Sequence, residues 1–342
     1  DGQIGHIIPD IWKWKPSSAA WGDAAAICPW ELYQAYGDLE LLRQQFPMMK
    51  KWVDSIGMHT TTPYLWTGGE HYGDWLGLDA PSGSYKGSSR EDFIASAFYA
   101  YSTELVIRAG EALGEEVSAY QALYQNILKT FRATYPEYYT QTECVLALHF
   151  HLCEDPEKTV QQLAEKIWAC GHHLETGFVG TPYLLHVLSS HGETKLAYDL
   201  LLREEYPSWL YPVTRGATTI WEHWDGIHED GSFWSDDMNS FNHYAYGAVA
   251  DWVYQVAAGI TPLAPGYQKV KIAPQPDARL EELEAYLQTE AGLVHSKWHK
   301  TPAGWCYEVT TPVCAEVYIG TRKYEVEPGS YRYYSPIEVE NH

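Results

Sequence analysis

The sequence is short of basic residues. It has 23 Lys and Arg against 45 Asp and Glu, which gives a formal net charge of −22. A surface of this sign repels phosphate backbones, so nucleic acid is excluded as a partner, whereas a neutral sugar is not repelled. The chain also lacks any apolar run of the roughly 20 residues that a membrane-spanning helix requires, so no membrane partner is predicted.

Cysteine pairs with metal-binding spacing are absent as well. The six cysteines include no C-x-x-C pair, so we expect buried free thiols rather than a zinc site or a disulfide framework. The pairs His149/His151 and His172/His173 lack further ligands at a suitable spacing, and neither a metal ion nor a cofactor is predicted. Reduced thiols and an N-terminus unlike a signal peptide favour the cytoplasm. The first residue is not Met, which suggests a piece of a longer polypeptide.

Two common catalytic signatures are missing, while aromatic residues are plentiful. There is no G-x-S-x-G turn for a nucleophilic serine and no Gly-rich loop for a phosphate. Aromatic residues, with 15 Trp and 27 Tyr among them, make up 15% of the chain. Tyr and Trp suit places with one dry and one wet edge, which include sugar-binding clefts. Core packing remains the alternative explanation for most of them.

The pattern of apolar residues from residue 19 to about 258 predicts a mainly helical domain. Helices joined alternately by short and long loops favour an α/α toroid, in which one rim collects the long loops 57–89 and 204–239. The predicted helices are Ala20–Tyr36, Leu39–Ile56, Arg90–Leu113, Glu115–Ala133, Thr142–Cys153, Pro156–Cys170, Pro182–Ser190, Thr194–Arg203 and Asn242–Ala258.

The texture of the sequence changes after Gly259. Several prolines mark a linker, and short segments of alternating polarity then predict a small antiparallel β-sandwich. We therefore divide the chain into a helical domain, residues 1–261, and a β-sandwich domain, residues 262–342. The predicted strands are Glu281–Gln288, Leu293–His299, Trp305–Thr310, Ala315–Gly320 and Ser330–Tyr334.

The segment Thr218–Gly226 carries the most pointed chemistry. Trp221 and Trp224 flank Glu222, so flat apolar surfaces lie next to a carboxylate that can bind sugar hydroxyls or a water molecule. The alternative is that both tryptophans belong to the core and that Glu222 lies at the surface. The sequence of this segment alone leaves both interpretations open.

Three further clusters lie in loops or at helix starts. Trp21 and Asp23 precede a helix, where Asp23 has the alternative role of complementing the helix dipole. The long loop contains Asp74 and Trp75 between glycines, a pattern that turn formation alone also explains. The segment Asn239–His243 begins the last predicted helix, and capping by Asn or Ser accounts for part of it. His243 is either a structural histidine or a donor to a sugar hydroxyl.

These clusters together carry a resemblance to a known family. The runs Ala19–Asp38, Gly73–Trp75, Ala217–Glu222 and Asn239–Gly247 resemble, in the same order and at similar spacing, those of bacterial α-L-rhamnosidases of glycoside hydrolase family seventy-eight. The resemblance extends over essentially the whole chain. It implies an (α/α)6-barrel, incomplete here at its N-terminal end, followed by a β-sandwich, and the inverting hydrolysis of terminal α-L-rhamnose from oligosaccharides or other glycosides.

The resemblance also implies roles for individual residues. Glu222 matches the general base of the family, which activates water. Trp21, Trp75 and His243 match positions that line the rhamnose pocket, and Asp23 and Asp74 lie near them. Trp221, next to the base, completes the predicted substrate-binding set.

One motif of the family is missing. Its general acid lies in an Asp-Cys-Pro-Gln motif followed closely by Arg and Glu, N-terminal to the position of Trp21, and no such string occurs here. We therefore expect a C-terminal portion of a longer rhamnosidase that lacks the acid. Two alternatives stay open, a sugar-binding or scaffolding module without catalysis, and another glycosidase of α/α-toroid fold. A uronide substrate is disfavoured because Arg215 is the one Lys or Arg between residues 204 and 239. The sequence leaves the oligomeric state open.

Overall fold

The computed structural model describes residues 2–7, 9, 11 and 17–336 of the 342-residue chain. Within these ranges the chain forms ten α-helices followed by eight β-strands, which confirms the predicted class of a helical domain followed by a β-sandwich. None of the helices in this part of the chain is long and apolar enough to cross a membrane.

Consecutive helices pack against each other in pairs, as expected for a fold built from α/α hairpins. Such pairs are formed by α3 with α4, α5 with α6 and α7 with α8. The helices are α1 Ala24–Tyr36, α2 Leu39–His59, α3 Glu91–Leu113, α4 Ser118–Thr134, α5 Gln141–His149, α6 Pro156–Ala169, α7 Thr181–Ser190, α8 Thr194–Leu201, α9 Leu210–Thr214 and α10 Val249–Trp252.

Local sequence signals explain where several helices begin. The Thr140 side chain accepts a hydrogen bond from the backbone N–H of Glu143 at the start of α5, and Asp155 does the same for Lys158 at the start of α6. The fully buried Glu143 carboxylate is paired with Arg90, Nη2 to Oε2 at 2.8 Å. The bonds accepted by Thr140 and Asp155 satisfy backbone N–H groups that a helix start would otherwise leave unpaired.

The last predicted helix is shorter and less regular than expected. In place of Asn242–Ala258, the chain has a 3-10 turn at Ala245–Ala248, then α10, then a π turn at Val253–Ala257. The residues just before the 3-10 turn do not begin a helix, because backbone groups of Ser240 and His243 form hydrogen bonds with the segment around Glu222. The loop predicted for 204–239 likewise contains one helix, α9.

The strands form two four-stranded sheets, with the orders β1-β2-β6-β7 and β3-β4-β5-β8. Apolar side chains from both sheets, among them Val270, Val317 and Trp298, form one buried core. The strands are β1 Ile260–Ala264, β2 Lys269–Ile272, β3 Glu282–Thr289, β4 Gly292–Thr301, β5 Gly304–Thr311, β6 Ala315–Ile319, β7 Arg322–Val326 and β8 Gly329–Ser335.

One expectation for this region was wrong in detail. The prolines after Gly259 do not mark a linker throughout, because Pro262 lies within β1, an edge strand whose register shifts between Pro262 and Ala264. An edge position tolerates proline because one side of the strand has no partner. The predicted antiparallel sandwich is confirmed, with one parallel pair, β2 with β6.

Contacts within the chain group it into two compact units. One comprises the residues up to Trp30 together with Glu40–Ala248, and the other comprises Glu31–Leu39 together with the residues from Val249 onward. The grouping therefore changes at Val249, ahead of the first strand and of the boundary that we predict after residue 261.

The six cysteines are all thiols, and they differ in exposure. Cys144, Cys153 and Cys306 are buried, whereas Cys28 in the first unit and Cys314 in the second are exposed. The expectation of buried thiols was therefore wrong for these two. The carboxylate of Glu327, 3.4 Å from the Cys314 sulfur, raises the pKa of that thiol.

Candidate active site

Glu222 lies where two chain segments meet. Its backbone N–H donates to the carbonyl of Ser240 at 2.8 Å, and the N–H of Ser240 donates to Glu222 Oε2, also at 2.8 Å. The other oxygen, Oε1, lies 4.0 Å from Nε2 of His243, and the Glu222 side chain is 12% exposed. Oε2 of Glu222 is thus fixed by a hydrogen bond. Oε1 and the imidazole of His243 face a partly exposed space between them, where both can bind the same water or hydroxyl group.

The position of His243 is fixed from both backbone and ring. Its N–H donates to the carbonyl of Ile220 at 2.9 Å, and its ring stacks on Phe178 with centroids 5.0 Å apart. Nδ1 accepts a hydrogen bond from the N–H of Ala245 at 3.3 Å. In the neutral ring the proton therefore resides on Nε2, the nitrogen that faces Glu222.

The tryptophans beside Glu222 support the segment from within. Trp221 and Trp224 are 6% and 3% exposed. Trp221 packs edge-on against Phe241, and Trp224 stacks on Tyr246 at 3.8 Å between centroids. So little exposed ring surface suits a core role, the alternative raised from the sequence, better than a sugar platform.

Six aromatic rings connect the two predicted tryptophans of the N-terminal half with the neighbourhood of Glu222. We call them the aromatic belt. Each ring contacts the next, with centroids 3.6 to 6.0 Å apart: Trp21, Tyr72, Trp75, Tyr85, Trp234 and His223. Trp21 and Trp75 are half-buried, so each keeps accessible ring surface. The last ring belongs to the residue after Glu222 in the sequence.

Asp74 fixes two loops together from a buried position. It is 1% exposed, and its carboxylate accepts hydrogen bonds from the N–H groups of Gly177, Val179 and Gly180 and from the hydroxyl of Thr142. Burial raises the pKa of Asp74, and the bonds from Thr142, Gly177 and Val179 oppose that rise. With this many protein donors, Asp74 holds the two loops together.

The segment held by Asp74 carries Phe178. The N–H of Phe178 donates to the carbonyl of Trp75 at 2.8 Å, and its ring supports His243. Gly177 is required at this junction because a Cβ would lie 2.3 Å from the Trp75 carbonyl oxygen and 2.5 Å from the N–H nitrogen of Gly77. Trp75 and His243, separate in the sequence, are thereby linked through a single residue.

Asp23 is also structural. It is fully buried, and its carboxylate accepts hydrogen bonds from the N–H of Ala20 (2.8 Å), the indole of Trp52 (2.8 Å) and the hydroxyl of Ser102 (2.6 Å). Burial raises the pKa of Asp23, and these bonds oppose the rise. Asp23 anchors the chain between Trp21 and the start of α1 and thereby helps to place the Trp21 ring.

Sequence reasoning missed several residues of this neighbourhood. Tyr85, Phe178 and Trp234 lie in loops without a periodic pattern of apolar residues, although the length of the loops 57–89 and 204–239 marks those two as functional candidates. For Phe178 the one usable signal is Gly177 beside it, since a glycine outside a turn often marks close backbone approach.

One cluster could hold a metal ion, and it lies apart from both histidine pairs considered above. Among the residues described here, His299, Cys306 and Glu308 place one ligand atom each within 4.8 Å of one another. They lie on β4 and β5, and Arg332 is ion-paired with Glu308 at 3.2 Å.

His71 provides a prediction for the pH dependence of stability. Its Nδ1 accepts from the N–H of Ala19 and its Nε2 faces the carbonyl of Gly68, both at 3.1 Å, which requires a neutral ring. Burial lowers the pKa of His71 from 6.5. The unfolded chain therefore binds the proton first as the pH falls, so this contribution to stability is complete above about pH 6.5 and is lost as the pH falls through the folded pKa.

We expect His71→Gln to be less stable at neutral pH and to lose less further stability on acidification. Gln keeps an acceptor and a donor but does not titrate. Urea unfolding at a series of pH values between about 7.5 and 5 measures the free energy of unfolding of both proteins. If the free energy of unfolding depends on pH with the same slope in both proteins, His71 is not the titrating group that we assign.

Comparison with known proteins identifies relatives of both the helical part and the β-sheet part of the chain. Residues 1–257 match the bacterial alpha-L-rhamnosidase 6 hairpin glycosidase domain, and residues 259–332 match the bacterial alpha-L-rhamnosidase C-terminal domain. An alpha-L-rhamnosidase from Formosa agariphila is 39% identical over 334 residues, which cover 94% of this chain and 36% of that protein. The chain spans about a third of the length of the curated relatives it matches.

Two solved structures are similar over nearly the whole chain. The Streptomyces avermitilis alpha-L-rhamnosidase complexed with L-rhamnose has a TM-score of 0.90 and 34% identity, and the match covers 97% of this chain and 34% of that one. The native rhamnosidase of Aspergillus terreus has a TM-score of 0.91 and 30% identity, with 97% and 41% covered. The resemblance seen in the sequence motifs is thereby confirmed.

Proposed function

This chain belongs to the bacterial α-L-rhamnosidase family, and on that premise we propose that it supplies the catalytic helical domain of an inverting α-L-rhamnosidase, with Glu222 as the general base. The observation that carries the proposal is the geometry of Glu222. The N–H of Ser240 fixes Oε2, and Oε1 faces Nε2 of His243 at 4.0 Å. A carboxylate held in this way can orient a water molecule and remove its proton.

In the proposed reaction, water deprotonated by Glu222 attacks the anomeric carbon from the face opposite the leaving oxygen. Inversion requires a second carboxyl group, roughly 6.5–9.5 Å from the base, to protonate that oxygen. Asp23 and Asp74 are poor candidates, because both are buried and their oxygens are occupied by protein donors. We propose that the acid is supplied from outside this chain, in agreement with the absence of the family's acidic motif.

The proposed substrate is a terminal α-L-rhamnoside of an oligosaccharide or another glycoside. Rhamnose carries a methyl group in place of a hydroxymethyl group, so one edge of the ring is apolar. The half-buried rings of Trp21 and Trp75 suit that edge. Nε2 of His243 and the carboxylate of Glu222 suit the hydroxyl groups and the attacking water.

The test is the stereochemistry of the first product. The product of the complete gene is mixed with an aryl α-L-rhamnoside, and the anomeric proton of the released sugar is followed by NMR from the first minutes. We expect β-L-rhamnose to appear first and the α-anomer only through mutarotation. Release of α-L-rhamnose first would contradict inversion, and absence of turnover on rhamnosides would contradict the proposed activity.

A further inference from the structure

A cavity of about 530 Å³ lies next to the segment that carries Glu222, and neither the resemblance nor the proposed reaction gives it a role. Its size exceeds that of a single monosaccharide and falls in the range of small-molecule sites. Its walls include Glu204, Tyr206, Tyr211, Arg215, Asp225 and His228.

The walls combine an accessible aromatic ring with an excess of carboxylates over basic groups. Tyr206 is 41% exposed and touches Tyr211 edge-to-face, with centroids 5.6 Å apart. The guanidinium of Arg215 lies over the Tyr211 ring and is ion-paired with Glu229 at 3.0 Å. An exposed aromatic face beside carboxylates suits a pyranose, because the C–H groups of the sugar stack on the aromatic ring while its hydroxyl groups donate hydrogen bonds to the carboxylates.

The remaining polar groups disfavour an anionic ligand. Asp225 Oδ2 lies 3.3 Å from Nδ1 of His228, and burial raises the pKa of Asp225. Glu204 is exposed at the cavity wall. Phosphate and carboxylate ligands are disfavoured because the acids outnumber the bases among the lining residues and the guanidinium is already paired.

A hairpin ties this cavity to the catalytic segment. The N–H of Trp234 donates to the carbonyl of Gly226 at 3.2 Å and that of His228 donates to Ser232 at 2.8 Å, which closes the loop between them. His228, near its tip, lines the cavity, while Trp234, at its base, stacks on His223 in the aromatic belt. Asp225, which lines the same cavity, follows Glu222 by three positions in the sequence.

The ring of Tyr246 also connects the two regions. It stacks on Trp224, the neighbour of Asp225 in the sequence, with centroids 3.8 Å apart. It also contacts Phe178, at 5.3 Å between centroids, and Phe178 supports His243. One buried tyrosine therefore contacts neighbours of both the cavity wall and the candidate site.

We propose that this cavity binds the leaving-group part of the substrate, a neutral sugar attached through the scissile oxygen, with Tyr206 as its stacking platform. This inference rests on the proposed function, since a leaving group presupposes glycoside hydrolysis. The carboxylates of Glu204 and Asp225 accept hydrogen bonds from hydroxyl groups of that sugar. The cavity accordingly determines which rhamnosides are hydrolysed well, while the rhamnose itself is bound near Glu222.

The test compares two substrates that differ only in the leaving group. On the product of the complete gene, kcat/KM is measured for α-L-rhamnosyl-(1→6)-D-glucose and for α-L-rhamnosyl fluoride, whose fluoride has no sugar to bind. Tyr206→Ala should lower kcat/KM for the disaccharide about tenfold, the loss expected for one stacking contact, and leave the fluoride unchanged. Tyr206→Phe should retain most of the activity, and Tyr36→Ala, at an exposed tyrosine outside the cavity wall, serves as the control.

Equal losses on both substrates, or no loss on either, would overturn the assignment. If wild-type protein hydrolyses neither substrate, the proposed function fails, and the cavity is then judged by calorimetric titration of methyl β-D-glucopyranoside into this chain. Binding by wild type that Tyr206→Ala abolishes supports a sugar site in the cavity. Undetectable binding, or equal binding by both proteins, overturns it. Glu204→Gln provides a second variant in case Tyr206→Ala does not fold.

Discussion

Glu222→Gln should reduce kcat for hydrolysis of an aryl α-L-rhamnoside by about 10²- to 10⁴-fold, the usual contribution of a general base. Glutamine keeps an acceptor for the N–H of Ser240, so the local fold and KM should change little. What is lost is the ability to take a proton from water. Steady-state kinetics on the product of the complete gene, together with the melting temperature of each protein, measure both expectations.

Azide makes this experiment specific for a base. An anion that needs no deprotonation can replace the attacking water, so azide should restore turnover of Glu222→Gln and give the β-L-rhamnosyl azide. Glu290→Gln, at an exposed carboxylate in the turn between β3 and β4, is the matched control and should retain the wild-type rate. Unchanged kcat in Glu222→Gln would remove this residue from the mechanism. Lost activity without azide rescue would contradict the role of base.

Asp74→Ala should produce the largest loss of stability among the changes considered. It leaves three backbone N–H groups and the Thr142 hydroxyl without their acceptor in a buried position. Each unpaired buried donor costs about 1–3 kcal/mol, so we expect a loss of at least about 3 kcal/mol. For a unit of this size that lowers the melting temperature by roughly 6–12 °C. Calorimetric unfolding of the chain measures the shift.

The exposed carboxylate of Glu70, four positions earlier, provides the control for Asp74. Glu70→Gln should change the free energy of unfolding by less than about 0.5 kcal/mol. Asp74→Asn, which keeps one acceptor oxygen, should fall between the two and should still reduce activity, because Phe178 then supports His243 less firmly. Melting of Asp74→Ala at the temperature of Glu70→Gln would refute the organising role that we assign to Asp74.

The class of the fold could be predicted from the sequence because its signals are local. Helical spacing of apolar residues locates helices such as Leu39–His59 to within a few residues, and alternation locates strands such as Glu282–Thr289. The end of the helical domain could not be predicted in this way. There, Ser240 and His243 bond to the segment around Glu222, and that distant partner prevents the helix that the local pattern favours.

The candidate site could be predicted where its residues belong to short sequence motifs. It was less predictable where the role of a residue depends on whether its side chain is buried. The pairing of Glu222 with His243 follows from two motifs that the fold brings together. The roles of Asp23 and Asp74 could not be derived, because the local sequence around each acid does not show whether its carboxylate faces a ligand or donors from a distant segment. Their partners in Trp52 and Gly177 appear only once the chain is folded.

The uneven exposure of the thiols has a practical consequence. Cys28 and Cys314 are the two exposed cysteines, and they belong to different units. A maleimide dye pair would therefore attach one fluorophore to each unit without any engineered residue. Since Glu327 raises the pKa of Cys314, that thiol should react more completely as the pH is raised. Each dye would then report on its own unit.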